Sequence, residues 1–201
     1  MILNNKLGIT DQVELAKAEE KISKQKARRL FDSGDMALAE VGTFKGLGFI
    51  HAYLFEDIYE FAGKIRDVNI AKGNFRFAPL MYLESSLKHI DALPQDSFDQ
   101  IIEKYVEMNI AHPFREGNGR ATRIWLDLIL KTELKQVIDW NMVDKEDYLS
   151  AMQRSPVKDL EIKVLLKEAL TDHIDDRALF MKGIDVSYYY EGYSEFKTVE
   201  L

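Results

Sequence analysis

The chain has 201 residues, with 27 Lys and Arg against 34 Asp and Glu, four prolines and no cysteine. That length suits one domain with its own core; 46% hydrophobic and 30% charged residues exclude wholesale disorder, and a net charge of −7 excludes a general attraction for nucleic acid. The missing thiols exclude disulfide scaffolds and cysteine nucleophiles, no apolar run reaches the ~20 residues of a membrane span, and no signal-peptide pattern opens the chain, so a cytoplasmic protein is expected.

The first element starts at Thr10 or Asp11, where Asp11 and Glu14 have capping-box spacing, and runs through Leu15, Ala18, Ile22 and Leu30 to about residue 33. Its cations Lys21, Lys24, Lys26, Arg28 and Arg29 are interleaved with Glu19 and Glu20, which reads as a solvated helix face. Phe44, Leu47, Ile50, Leu54, Ile58 and Ala62 keep three-and-four spacing up to Gly63, predicting one long core helix. Between Arg66 and Pro79, two alternating stretches around Lys72-Gly73 read as a short hairpin. Helical patterns follow at Tyr82 to Leu93 and Phe98 to Asn109, the second ended by His112-Pro113 because a residue before proline avoids the α region. Further helices fit Ala121 to Lys131, Lys145 to Arg154 and Leu160 to Thr171. The fold class is all-α, a helical bundle with one small β-hairpin.

The segment His112-Pro113-Phe114-Arg115-Glu116-Gly117-Asn118-Gly119-Arg120-Ala121-Thr122-Arg123 lies between two of these helices. The helix that follows it is apolar on most of its circumference, so it must be central. A Gly-Asn-Gly turn opening such a helix presents unpaired backbone N–H groups at the positive end of its dipole, a ready anion site. Arg120 and Arg123 sit three apart in the first turn or so, where positive charge conflicts with the dipole and a bound polyanion would relieve the conflict. No Walker loop is present, so an ordinary P-loop NTPase is disfavoured. His112 is a candidate general base, with an ordinary pKa of about 6.5, and Glu116 offers a hard oxygen suited to Mg²⁺. The four histidines, His51, His89, His112 and His173, lack metal-ligand spacing on any one helix.

This segment resembles the signature of the Fic (filamentation induced by cAMP) family, His-Pro-Phe-x-(Asp/Glu)-Gly-Asn-Gly-Arg-x-x-Arg, at every specified position. The likeness extends back through His51 to Ile70, with Lys72, Gly73 and Phe75, and covers most of residues 43–131. It implies a single Fic domain over 1–201, with a flap at about 66–79 and a catalytic loop at 112–123. The implied activity is transfer of AMP from ATP to a Tyr, Ser or Thr hydroxyl of a target protein, releasing pyrophosphate. His112 would be the base and Glu116 the Mg²⁺ ligand. Gly117, Asn118, Gly119 and Arg120 would form the anion hole, and Arg123 would orient the γ-phosphate. Lys72, Gly73, Asn74 and Phe75 of the flap would dock the target by strand addition. Relatives of the death-on-curing type carry lysine in place of the second glycine; with Gly119 present, AMP transfer is the better reading.

Near the end, Ser187-Tyr188-Tyr189-Tyr190-Glu191-Gly192 resembles the family's inhibitory helix in its C-terminal form, here about 186–194 with Asp185 as cap. Glu191 would pair with Arg123 and block the γ-phosphate position, with Ser187 one turn earlier helping to hold it. Tyr188, Tyr189 and Tyr190 are open to self-modification, and a homo-oligomer is compatible with the sequence. Alternatives are an enzyme that also removes AMP, and a non-catalytic nucleotide-binding or interaction module.

Overall fold

The computed structural model describes residues 2–73 and 75–201. Eight α-helices dominate those residues. They are α1 (Gln12–Asp32), α2 (Phe44–Phe55), α3 (Leu80–Ala92), α4 (Phe98–Ala111), α5 (Asn118–Leu134), α6 (Lys145–Arg154), α7 (Leu160–Glu168) and α8 (Arg177–Tyr190). Two antiparallel pairs of two residues each complete the fold: β1 (Ala71–Lys72) with β2 (Phe75–Arg76), and β3 (Val137–Ile138) with β4 (Leu170–Thr171).

Helix α5 is the axis. Ala121, Trp125, Leu126, Ile129 and Leu130 are all fully buried, and α2, α4 and α8 pack round it. Trp125 reaches across to α2, where its indole N–H donates to the Thr43 carbonyl at 3.0 Å. The Asn-Gly-Arg residues form the first turn of α5 rather than a loop before it, so the helix begins three residues earlier than its apolar pattern suggested. Gly117, at φ 79°, turns the chain into the helix, and a Cβ there would collide with the Phe55 ring.

Three expectations need correction. Helix α2 stops at Phe55 instead of continuing to Ala62. Ile58 is buried as the spacing required, but from a tight turn: its carbonyl accepts from Lys6 N–H at 2.8 Å, outside any helix. Helix α7 ends at Glu168, and Leu170–Thr171 pairs with β3, a match too short to leave an alternating pattern. Helix α8 begins at Arg177, where Asp176 caps it by accepting from Leu179 N–H at 3.0 Å. Asp185 therefore lies mid-helix, bonded to Thr198 and Lys24, and the helix ends at Tyr190 instead of 194.

The acidic and basic residues of α1 are also not all solvated. Glu19, Glu20 and Lys24 are 2%, 2% and 1% exposed. They lie under the C-terminal segment, where Glu20 accepts from the N–H groups of Glu195 and Phe196, and Lys24 donates to the Phe196 carbonyl.

Candidate active site

The loop between α4 and α5 is built from its backbone outward. His112 ends α4 in the left-handed region, at φ 49°, an unfavourable conformation for a residue with a side chain. Arg66 holds it there: its guanidinium donates to the carbonyls of His112 (2.8 Å), Val68 (2.6 Å), Ala78 (2.5 Å) and Ala111 (3.2 Å). The same side chain thus ties the hairpin's base to the loop. Asn118 closes the turn from the other end, its amide oxygen accepting from Phe114 N–H and its amide nitrogen donating to Phe114 O, both at 2.8 Å. That side chain is occupied by the loop, which leaves anion binding here to backbone N–H groups. Those of Asn118, Gly119 and Arg120 precede any partner within the helix.

His51 supports the loop from behind. Its ring stacks on Phe114 at 3.8 Å; Nδ1 accepts from Gly63 N–H, which makes Nε2 the donor to the Glu116 carbonyl at 2.8 Å. Burial pushes its pKa down to about 4, so it is neutral.

A cavity of about 550 Å³ opens in front of the loop. The hairpin, the loop, α6 and Glu191 bound it, and His112, Glu116, Gly119, Arg123 and Lys72 all line it. The His112 ring stacks on Phe77 at 3.6 Å, and its Nδ1 is buried without a partner among the described residues. Burial lowers its pKa to about 4, with Glu191 acting in the opposite direction, so the imidazole is neutral and able to accept a proton. The Glu116 side chain is 43% exposed; one oxygen accepts from Gly117 N–H and Arg120, both at 3.0 Å. Among the described residues there is no cluster of three or more potential metal ligands. Glu116 can therefore offer a Mg²⁺ one carboxylate, the remainder of the shell coming from phosphates and water, a donor set that this ion accepts.

The two loop arginines differ. Arg120 points into the interior, 1% exposed, between Glu19 of α1 and Glu116. Arg123 is met by α8: its Nε donates to Ser187 Oγ at 2.7 Å, and its Nη2 to the Ser187 carbonyl and to Glu191 Oε1, both at 2.9 Å. The rings of Tyr148 and Tyr190 flank its guanidinium at 5.6 and 5.3 Å. Lys72 of the hairpin approaches the other Glu191 oxygen at 3.5 Å. Burial alone would raise the Glu191 pKa, but Arg123 and Lys72 outweigh it and hold the carboxyl at about 2. A Cβ at Gly119 would collide with this carboxylate and with the Arg123 guanidinium, so the second glycine makes room for both.

The predicted residues thus converge on one cavity, apart from Ser187, which reaches it only through its bonds to Arg123, and Asn74, which lies outside the described residues. Of the three tyrosines, Tyr188 and Tyr190 are buried with hydroxyls bonded to Ser23 and Val143, whereas Tyr189 is 52% exposed. Sequence reasoning assigned no role to Glu19, His51, Phe77 or Tyr148. Only Glu19 left a signal, lying four residues after Leu15 and three before Ile22 and hence on the apolar stripe of α1.

Comparison with known proteins agrees with this geometry. Residues 43–130 match the Fic/DOC family. The chain is 32% identical over 190 residues to the protein adenylyltransferase VbhT of Bartonella schoenbuchensis, with 88% of this chain and 38% of that protein covered. It is 28% identical to a probable protein adenylyltransferase Fic of Salmonella typhimurium, covering 85% and 88%. The chain therefore spans well under half of VbhT and most of the Salmonella protein. Among solved structures it is similar in fold to the BepC effector of Bartonella tribocorum with bound AMPPNP, with a TM-score of 0.67, 20% identity, and 85% and 93% of the two chains covered. No helix among the described residues is long and apolar enough to cross a membrane.

Proposed function

Because this chain belongs to the Fic/DOC family, we propose that it is a protein adenylyltransferase moving AMP from ATP to a hydroxyl of a target protein, and that Glu191 holds it at low activity. The observation that carries the reading is an imidazole, its Nδ1 buried without a partner among the described residues, lining the same cavity as the opening turn of a central helix. The triphosphate lies against the N–H groups of that turn, where the helix dipole favours anions. His112 accepts the proton of the target hydroxyl, whose oxygen bonds to the α-phosphorus while the bond to the bridging oxygen breaks and pyrophosphate leaves. Glu116 is the residue that would hold a Mg²⁺, which when bound offsets the charge of the phosphates. The open edge of the hairpin positions the target segment by backbone pairing.

Glu191 restrains the reaction by occupying Arg123. Three donor contacts from one guanidinium to α8, each 2.9 Å or shorter, leave Arg123 unavailable to a γ-phosphate. The experiment is incubation of the Glu191→Gly protein with labelled ATP, Mg²⁺ and a cell lysate, followed by mass spectrometry. AMP adducts should rise over the parent by about 10–100-fold, the equivalent of one charge-assisted hydrogen bond, and vanish with His112→Ala. Equal labelling by all three proteins would exclude the reading.

A further inference from the structure

Glu19 lies on α1, outside residues 43–130, and is 2% exposed. Its carboxylate collects donors from three parts of the chain: the Tyr59 hydroxyl after α2, the Arg120 guanidinium of α5, and the Tyr193 hydroxyl after α8, the last at 3.0 Å. Burial opposes its ionisation, but Arg120 and the two hydroxyls hold its pKa below the ordinary range, so a full negative charge sits inside the protein. On the other side of that charge, Arg120 gives Nη1 to Glu19 and Nη2 to Glu116, while its Nε has no partner among the described residues. The Phe55 and Tyr193 rings flank its guanidinium at 5.1 and 4.6 Å.

A buried guanidinium needs a counter-charge. Two carboxylates can supply it, and they are not equivalent: Glu19 is interior, whereas Glu116 is 43% exposed at the edge of the cavity. While Glu19 neutralises Arg120, Glu116 needs to give it only one contact and keeps its second oxygen for the cavity. Without the Glu19 charge, Glu116 would be the remaining carboxylate in contact with Arg120 and would be drawn inward. We infer that Glu19 is a positioning residue: it anchors Arg120 beneath the loop and thereby keeps Glu116 and the first turn of α5 set for the metal-bound triphosphate. This rests on the adenylyltransferase reading of the cavity, and it assigns to α1 a part in the site that the loop motif alone does not contain.

The test compares Glu19→Gln, Glu19→Asp and Tyr59→Phe, each in the Glu191→Gly protein. The Mg²⁺ dependence of ATP binding is followed by calorimetry, and hydrogen exchange of amides 117–120 is followed without nucleotide. Glu19→Gln should raise the half-saturating Mg²⁺ about tenfold or more, the usual scale for residues that orient a metal ligand, and should speed exchange of those amides. Glu19→Asp keeps the charge with a shorter reach and should shift both readouts in the same direction by less. Tyr59→Phe removes a hydrogen bond from the same carboxylate but leaves its charge on Arg120. It should lower the melting temperature and move neither readout.

An ordinary Mg²⁺ curve with ordinary exchange in Glu19→Gln overturns the inference, as does an equal shift in Tyr59→Phe, which would make the role merely structural. Should Glu19→Gln not fold, Glu19→Asp decides by the same criteria. Failure of the Glu191→Gly protein itself to bind ATP with Mg²⁺ would count against the proposed function instead, and the nucleotide-free exchange would still decide the place of Glu19.

Discussion

His51 and His112 stand on opposite sides of one loop, each stacked on a phenylalanine and each kept neutral by burial. Behind the loop, both nitrogens of His51 are bonded, to Gly63 N–H and the Glu116 carbonyl. In front, His112 lines the cavity with its Nδ1 unpartnered, on a backbone that Arg66 holds in the left-handed region. The contrast extends to the arginines: Arg120 is spent on the interior, and Arg123 is engaged by Tyr148 of α6 and by the segment around the end of α8. Side chains bonded to the backbone or to buried charges at the back set the geometry. Those left incompletely satisfied or exchangeable at the front are the ones with chemistry to perform.

Exchanging the two histidines for alanine tests this division most severely. In the Glu191→Gly protein, His112→Ala should lower AMP transfer about 10²–10⁴-fold, yet cost less unfolding free energy than His51→Ala, since its Nδ1 meets no partner within bonding geometry among the described residues. Labelled ATP and urea titration measure the two quantities. For His51→Ala the stability loss should be about 3 kcal/mol, because two backbone groups lose their partner and a cavity opens beside Phe114, lowering the melting temperature by about 6–12 °C. Equal stability of both variants would erase the distinction between back and front.

Acid sharpens the comparison next. His51 binds a proton in the unfolded chain at about pH 6.5 but in the folded one only at about 4, so the unfolded state takes up more protons between these values. Stability should therefore fall as the pH drops below 6.5, and by pH 4 His51 should account for about 3 kcal/mol of the loss, a share that His51→Ala should remove while the dependence due to His112, lowered to about 4 by the same cause, remains. Glu191 has the same sign in a lower window: held at about 2, it contributes fully above its ordinary carboxylate range, and the contribution is lost as the pH falls from there towards 2. The activity ratio of Glu191→Gly to the parent should accordingly stay constant from pH 8 to pH 5; a ratio that collapses at pH 5 would contradict it.

The smallest effects separate the inner and outer parts of the clasp on Glu191. Ser187→Ala removes a buried partner of Arg123 and should raise AMP transfer about tenfold. Lys72 is 71% exposed, and its pairing with Glu191 at 3.5 Å is worth at most about 1 kcal/mol, so Lys72→Ala should change the rate by no more than about fivefold. If the lysine proved the stronger restraint, the hairpin and not Arg123 would hold the glutamate.

Much of this molecule was legible in the order of its residues. Apolar spacing located the helices, and it failed where backbone groups found partners outside the helix, as at Ile58, or where a cap lay farther upstream, as at Asp176. From His112 to Arg123 the spacing determined the loop and the opening of α5, because those groups are neighbours along one short turn, and Ser187 and Glu191 share a face because four residues make one helical turn. Only the tertiary structure decided that Arg120 turns inward to Glu19, that His51 backs the loop, and that Glu19 is interior instead of solvated. Spacing sets direction around a single helix, whereas burial and pairing depend on which other part of the chain is laid against it, and those partners lie up to 176 residues away, the separation of Glu20 and Phe196.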